Sequence, residues 1–292
     1  MTTNINIQTT KTFGIELEGY NIPRDTLVRA LTERGLQAQA SYYSGRDYSV
    51  WQIKTDASIN GINGFEIVSP ILDANRVHEV KTMLEVVESL NGKVNKSCGF
   101  HIHWGVRDWK IKNFRNFMKR YVKFERVLDS FVAPSRRGNN NRYCSSNMQR
   151  IKCSSSQGDM GMTNVMTEEG QKRMFAKIDK CNSLRKLESA TTNGKFSKVN
   201  LSVFSRSGTI EIRHHQGTFD VEKVLNWISL TGSMVCDSSC NKAVKVWSSD
   251  RVGMKQKETK AFFNGIKRNN AMTPASIKWF KQRQKQFDRE VA

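Results

Sequence analysis

Four short segments of the sequence place ionisable side chains in alternation with apolar residues. Glu16 and Glu18 are separated by one apolar residue, and so are His101 and His103. Because successive side chains of a β-strand point to opposite faces, the members of each pair lie on one face. The other members of this set, which alternate with apolar residues, are Glu66, Glu211 and Arg213. Four such segments together predict a polar floor built over an apolar base.

The residue types of this set indicate which ligands the floor would bind. Carboxylates that crowd one face repel each other unless a cation lies between them. Oxygen-rich sites suit Mg²⁺ or Mn²⁺, whereas a histidine-dominated site with one carboxylate would indicate zinc. Glutamates outnumber histidines here, and Arg213 on the face of Glu211 suits a phosphoryl group. The combination predicts ATP-dependent phosphoryl transfer with a divalent cation.

The surrounding pattern predicts the strands and helices that position these residues. Alternating apolar residues favour strands, and apolar residues three or four apart favour helices. The predicted strands cover residues 12–19, 37–43, 50–54, 65–71, 93–104, 195–204 and 208–214, with a turn joining the second and third and another joining the last two. The predicted helices cover residues 21–35, 77–90, 110–132 and 220–234, and a last one begins at Thr273.

The positive charge is concentrated in two segments of the chain. The formal net charge is +20, and residues 1–70 contribute 6 basic and 7 acidic side chains. Residues 105–152 carry 13 basic and 3 acidic side chains, and residues 241–292 carry 13 and 4. Such segments attract phosphates of a nucleotide, a nucleic acid or an anionic substrate, although a solvated surface has the same composition.

Composition and length exclude several classes of protein. Hydrophobic residues make up 38% of the 292 residues, which excludes a mostly disordered chain. No apolar run approaches the roughly 20 residues that span a bilayer, so we expect no membrane insertion. The polar first ten residues lack a secretory signal, and the six cysteines form no CxxC pair. We therefore expect a cytoplasmic protein with reduced thiols.

The motifs GIELEG, EIVSPIL, CGFHIHW, VNL and GTIEIRHHQGT occur in this order over residues 12–235. In order and spacing they resemble the amidoligase family of the glutamine synthetase-like carboxylate–amine/ammonia ligases. The resemblance implies an α+β catalytic domain over residues 12–240, with a mostly antiparallel curved sheet and helices packed on one face. A Ser/Asn-rich active-site loop is expected over residues 135–170, and a basic helical C-terminal extension over 241–292.

The resemblance also implies roles for individual residues. Asp56 and Glu66 would serve the amine, and either carboxylate could accept its proton. The expected ligands of Mg²⁺ or Mn²⁺ are Glu16, Glu18, Glu66, His101 and Glu211. The residues expected to contact ATP are His103, Arg136, Arg137, Lys198, Asn200 and Arg213, of which Arg213 would meet the transferred phosphate.

The implied activity is ATP-dependent formation of an amide bond through an acyl phosphate. ATP would activate a carboxylate, and an amine would then displace the phosphate. An anionic polymer or peptide, contacted by residues 105–152 and 241–292, is a candidate partner.

Two alternatives stay open at the level of sequence. One is a metal-dependent hydrolase or transferase that uses the same Glu/His floor. The other is a nucleic-acid-binding protein with an inactive ligase fold. Turnover that requires ATP, a carboxylate and an amine would separate the ligase from both.

Overall fold

A computed structural model describes most of the chain. The described residues are 9–41, 47–148, 167–249, 251, 254–267 and 272–290. The predicted loop over residues 135–170 is therefore described only at its two ends, because residues 149–166 lie outside these ranges.

Seven strands of the described residues form one sheet. The strands are β1 (Phe13–Gly19), β2 (Ala38–Ala40), β3 (Trp51–Thr55), β4 (Phe65–Val68), β5 (Gly99–Gly105), β6 (Val199–Asn200) and β7 (Thr209–Gln216). Their order across the sheet is β2-β3-β4-β1-β5-β7-β6, and every neighbouring pair is antiparallel except β2 with β3. The protein is a mixture of strands and helices, and the expected mostly antiparallel sheet is present.

Helices connect and cover these strands. The first three are α1 (Arg24–Glu33), α2 (Val77–Ser89) and α3 (Ile111–Asp129). Within the described ranges the later ones are α4 (Glu168–Asp179), α5 (Leu184–Thr191), α6 (Phe204–Ser207), α7 (Val221–Val235), α8 (Asp237–Cys240), α9 (Lys255–Lys267) and α10 (Pro274–Glu290). None of the helices in these ranges is long and apolar enough to cross a bilayer.

The alternation of the strands separates two faces of the sheet, with one register shift between β5 and β7 near Phe100 and Ile102. In β1 the side chains of Phe13, Ile15 and Leu17 are at most 2% exposed and join the hydrophobic core. Helix α7 covers this face at the centre, where the Trp104 indole donates a hydrogen bond to Thr231 at 3.1 Å. Burial of apolar area drives this packing, so the ionisable side chains stay on the opposite face.

Several strand predictions are only partly met, since β2 and β4 are also shorter than predicted. Within residues 195–204, only β6 pairs with β7, because α6 follows at Phe204 and ends at Gly208, whose φ of 70° suits glycine. Lys93 forms an isolated bridge with Tyr20, a turn at residues 96–97 precedes β5, and the Asn95 side chain accepts a hydrogen bond from the Ser97 amide. Polar side chains that bond their own backbone favour turns over strands.

Strands β2 and β3, at the edge of the sheet opposite β6, do not form an antiparallel hairpin. Strand β2 lies parallel to β3, with Ala38 opposite Trp51 and Ala40 opposite Ile53. Parallel strands require a crossover connection instead of a tight turn. The predicted turn between these strands falls partly on residues 42–46, outside the described residues.

The C-terminal helices α9 and α10 pack against the long helix α3. The ring of Phe131, just after α3, lies 5.7 Å from Phe263 and 5.0 Å from Phe280, measured between centroids. Phe124 of α3 lies 4.9 Å from Phe262. The basic C-terminal segment therefore contributes aromatic side chains to the core.

Several cations of α3 are bound within the fold. Lys119 pairs with Asp179 at 2.8 Å, and Arg120 donates to the carbonyl of Ser239. The ammonium of Lys123 lies 4.1 Å from the centre of the Trp247 ring. A polyanion bound by residues 105–152 stays a prediction, and these three cations already have partners inside the protein.

Candidate functional site

The register of five adjacent strands gathers the predicted residues on one face. Glu18 of β1 lies opposite Glu66 of β4, and Glu16 lies opposite His101 of β5. His103 in turn lies opposite Glu211 of β7. We call this polar face the floor, and it consists of Glu16, Glu18, Glu66, His101, His103, Asn200, Glu211 and Arg213.

One set of three ligands lies at the centre of the floor, and we call it the first group: Glu16, His103 and Glu211. One ligand atom of each lies within 4.8 Å of the others. Nε2 of His103 is 3.2 Å from Oε1 of Glu16 and 3.8 Å from Oε1 of Glu211. This spacing leaves room for one small cation between the three side chains.

In the first group, Glu16 and His103 strongly shift each other's pKa. Burial would raise the pKa of Glu16, but His103 and hydrogen bonds to both histidines hold it well below its usual range. Burial lowers the pKa of His103, but the charges of Glu16 and Glu211 outweigh it and raise that pKa to about 9. Without a bound cation, protonated His103 supplies the positive charge that the carboxylates need.

A second set of acidic residues lies beside the first, and we call it the second group: Glu18, Asp56 and Glu66. One carboxylate oxygen of each lies within 4.8 Å of the others. Burial and the negative charge of Glu16 raise the pKa of Glu66 to about 8, although Lys54 lies 3.9 Å away. The raised pKa of Glu66 indicates crowded negative charge, which a bound divalent cation would neutralise.

His101 connects the two groups. Its Nδ1 lies 3.2 Å from Oε2 of Glu16, and its Nε2 lies 3.8 Å from Oε1 of Glu18. The side chain is 3% exposed, and Glu18 also accepts a 2.6 Å hydrogen bond from the Gly99 amide. A Cβ at Gly99 would lie 2.5 Å from the His101 ring, so glycine gives the imidazole its space.

Arg213 and Asn200 complete the floor on the side of β7. Nη1 of Arg213 pairs with Oε1 of Glu211 at 2.5 Å, and the amide of Asn200 donates to Oε2 of Glu211 at 2.7 Å. Burial would raise the pKa of Glu211, but His103 and Arg213 lower it. Nε of Arg213 is buried without a hydrogen-bond partner, which leaves a donor for a ligand.

A cavity of about 1520 Å³ lies above the floor. Both groups line it, together with Asn200, Arg213 and Arg136. Ligand pockets commonly measure roughly 300–1,000 Å³, so this cavity has room for more than one substrate.

The side chains of the floor fit divalent cations. Both groups consist mainly of hard oxygen donors, and Nε2 of His103 faces Oε1 of Glu16 and Oε1 of Glu211. Mg²⁺ and Mn²⁺ prefer such donors and tolerate one imidazole.

Two of the predicted ATP contacts lie away from the cavity. The ammonium of Lys198 is fully buried between Glu125 and Asp129 of α3, at 3.0 and 2.5 Å. The Arg137 guanidinium donates to the carbonyl of Val132 and lies 4.7 Å from the ring of Phe287. The structure therefore does not bring either side chain to the floor.

Sequence reasoning missed several cations of the cavity. Lys54 alternates with Ile53 in β3 and lies opposite Glu66, so the period-two pattern could have found it. Lys11, Arg107, Lys195 and Arg206 also line the cavity; they lie outside the strands and therefore carry no alternation signal.

The chain has similarities to known families and solved structures. A family model described as “Putative amidoligase enzyme” matches residues 9–235, and no curated protein matches the chain. Among solved structures, the chain is similar to that of a bifunctional glutathione synthetase from Pasteurella multocida, with 12% identity and a TM-score of 0.43. That alignment covers 97% of this chain and 47% of the other, so the chain spans about half its length. Because the family model matches well over half of the chain, the protein belongs to the amidoligase family.

Proposed function

We propose that this protein is an ATP-dependent ligase that joins a carboxylate to an amine through an acyl phosphate. The observation that carries the proposal is that both groups and Arg213 line one cavity. Membership in the amidoligase family supports it independently.

The two groups would hold Mg²⁺ or Mn²⁺. Glu16, His103 and Glu211 would bind one cation, and Glu18 and Glu66 would bind another, with His101 between them. When bound, the cations would neutralise the negative charge of the phosphates of ATP.

In the first step an oxygen of the substrate carboxylate attacks the γ-phosphorus of ATP. The bond between that phosphorus and the β,γ-bridging oxygen breaks, and ADP leaves. Arg213, with its free Nε, would stabilise the charge on the equatorial oxygens of the transferred group.

In the second step the amine nitrogen attacks the acyl carbon. The bond from this carbon to the phosphate oxygen breaks, and inorganic phosphate leaves with the electron pair. Asp56, which lines the cavity beside the cation ligand Glu66, would accept the proton of the amine.

The test is interception of the acyl phosphate. Purified protein is incubated with Mg²⁺, ATP, hydroxylamine and a panel of C3–C7 dicarboxylates and amino acids, and hydroxamate and ADP are measured. We expect hydroxamate only when ATP is present, and loss of both products in Glu16→Gln and Glu211→Gln. Glu85→Gln, which removes an exposed ion pair with Arg34, is the matched control and retains activity.

Two outcomes would contradict the proposal. Metal-dependent turnover of the panel without ATP would indicate a hydrolase or transferase. Undiminished activity of both Glu16→Gln and Glu211→Gln would exclude the first group as the metal site.

A further inference from the structure

The part of the cavity wall that contains Arg136 is a short 3-10 turn, Pro134–Arg136, which we call the wall turn. The Arg136 side chain is 3% exposed, and its Nη2 donates to the carbonyl of Cys98 at 2.5 Å. The amide of Ala133, just before the turn, donates to Oε1 of Gln216 at the end of β7 at 3.0 Å. These two hydrogen bonds attach the wall turn to the sheet.

The next side chain, that of Arg137, attaches the wall turn to the C-terminal helix α10. Its Nε donates to the carbonyl of Val132 at 2.9 Å, and its guanidinium lies 4.7 Å from the centre of the Phe287 ring. A guanidinium at this distance from an aromatic ring is held by a cation–π interaction. The two consecutive arginines therefore connect the wall turn to two different parts of the protein.

Helix α10 is itself fixed against the neighbouring helices. Nε2 of Gln284 donates to Oγ of Ser130, just after α3, at 2.6 Å, and to Oγ1 of Thr259 in α9 at 3.1 Å. The ring of Phe287 is 4% exposed, and a second guanidinium, that of Arg283, lies 4.1 Å from its centre. A buried ring with two guanidinium groups against it has little freedom to move, so it can hold a neighbouring side chain in one place.

We infer that Phe287 is a positioning residue, which holds the wall turn through Arg137 and thereby places Arg136 in the cavity. Arg136 and Arg137 are consecutive, so a displacement of one side chain moves the backbone of the other. For its effect on turnover, this inference rests on the proposed ligase function. Helix α10 follows the residues that the family model matches, so an element outside the matched region completes the cavity.

Hydrogen–deuterium exchange tests the positioning without requiring turnover. Phe287→Leu keeps an apolar side chain but removes the aromatic ring, and Phe287→Tyr restores the ring. The amides of residues 136–138 are all hydrogen-bonded. We expect them to exchange about fivefold faster in Phe287→Leu, as the loss of one cation–π interaction implies, and at the wild-type rate in Phe287→Tyr. Unchanged exchange in Phe287→Leu would overturn the inference.

Trp279→Leu is the matched control, because it also replaces an aromatic residue of α10 by leucine. The ring of Trp279 lies 5.0 Å from that of Phe280, measured between centroids. We expect this variant to keep the wild-type exchange of residues 136–138. Equal acceleration in Trp279→Leu would contradict the inference, because general loosening of α10 would then explain the result.

Turnover tests whether Phe287 acts through Arg136. In the hydroxamate assay, Arg136→Gln and Phe287→Leu should each raise the KM of the same substrate, either ATP or the most active acid of the panel. We expect an increase of about threefold or more for Phe287→Leu. Effects that pass through one residue are not additive, so the variant with both changes should match Arg136→Gln within about twofold. Fully additive effects, or wild-type KM values in Arg136→Gln, would show that the inference is wrong.

Failure of the ligase proposal is recognised separately, because wild-type protein would then form no hydroxamate. In that case the exchange experiment decides alone, since it needs neither ATP nor an acid. The same experiment decides if Arg136→Gln does not fold.

Discussion

At the residue scale, the site is defined by like charges held close together. Glu66 faces the negative charges of Glu16, Glu18 and Asp56, and Lys54 offsets them only in part. Carboxylates in such an arrangement bind protons or cations strongly. A cation that binds the folded but not the unfolded protein also stabilises the folded state by mass action.

The two groups predict two separable metal sites. We expect Mn²⁺ titrated into the protein and followed by electron paramagnetic resonance to saturate at two ions, one for each group. Glu211→Gln should weaken the first site, and Glu66→Gln the second, each by at least about tenfold. Binding of one ion only, or loss of both sites in each variant, would contradict the assignment.

At the element scale, the beginning of β5 controls the position of His101. A methyl group at Gly99 would lie 2.5 Å from the imidazole and 3.3 Å from Oε2 of Glu18. We expect Gly99→Ala to weaken Mn²⁺ binding by about tenfold or more, because His101 must move. In the same titration Gly265→Ala in α9, where nothing lies within 4 Å, should bind Mn²⁺ like wild-type protein. Equal Mn²⁺ affinities of the two variants would show that Gly99 does not position His101.

Strand β7 joins the floor to helix α3 through a buried polar network. His214 lies between Tyr121 and Asp129, at 2.7 and 2.6 Å, and Asp129 also binds Lys198. Burial, assisted by the charge of Lys198, lowers the pKa of His214 to about 4. The neutral imidazole is therefore part of the folded state.

This network predicts a pH-dependent contribution to stability. The unfolded chain binds a proton at His214 near pH 6.5 and the folded chain near pH 4, so the contribution shrinks as the pH falls through this window. The raised pKa of Glu66 has the opposite effect, because it makes the folded state less stable as the pH rises. The contribution of His214 is therefore isolated by comparing wild type with a variant. The free energy of unfolding of wild type relative to His214→Gln should decrease by about 2 kcal/mol from pH 7 to pH 5. Urea denaturation measures it, and a constant difference would contradict the prediction.

The sequence predicts a good part of this architecture. Alternation reveals that Glu16, Glu18, His101, His103 and Glu211 share faces of strands, because the core selects one face of each strand. It does not reveal the order of the strands, which depends on long-range pairing.

Lys198 shows a second limit of the sequence. Two residues from Asn200, it would share the face of Asn200 in a regular strand, but β6 contains only Val199 and Asn200. The Lys198 side chain therefore reaches α3 while Asn200 reaches Glu211. Arg136 stays a predicted ATP contact, and its place in the wall of the cavity is visible only in three dimensions.

At the scale of the whole molecule, the C-terminal helices belong to the packed interior. Phe262 is 1% exposed and contacts Phe124, Phe131 and Phe263. We expect Phe262→Ala to lower the free energy of unfolding by about 3–5 kcal/mol, since it leaves a cavity among aromatic rings. In the same urea titration Met254→Ala, which is 47% exposed, should change it by less than about 0.5 kcal/mol. A small effect of Phe262→Ala would show that the segment packs loosely.

The alternation of β1 also limits which sequence changes this protein tolerates. Ile15 and Leu17 face the core, while Glu16 and Glu18 face the cavity, so inserting or deleting a single residue would exchange the two sets. Substitutions on the cavity side leave the core untouched. Point replacements at other positions of the cavity can therefore alter substrate binding while the core stays intact, whereas insertions and deletions are better tolerated in the connections between strands.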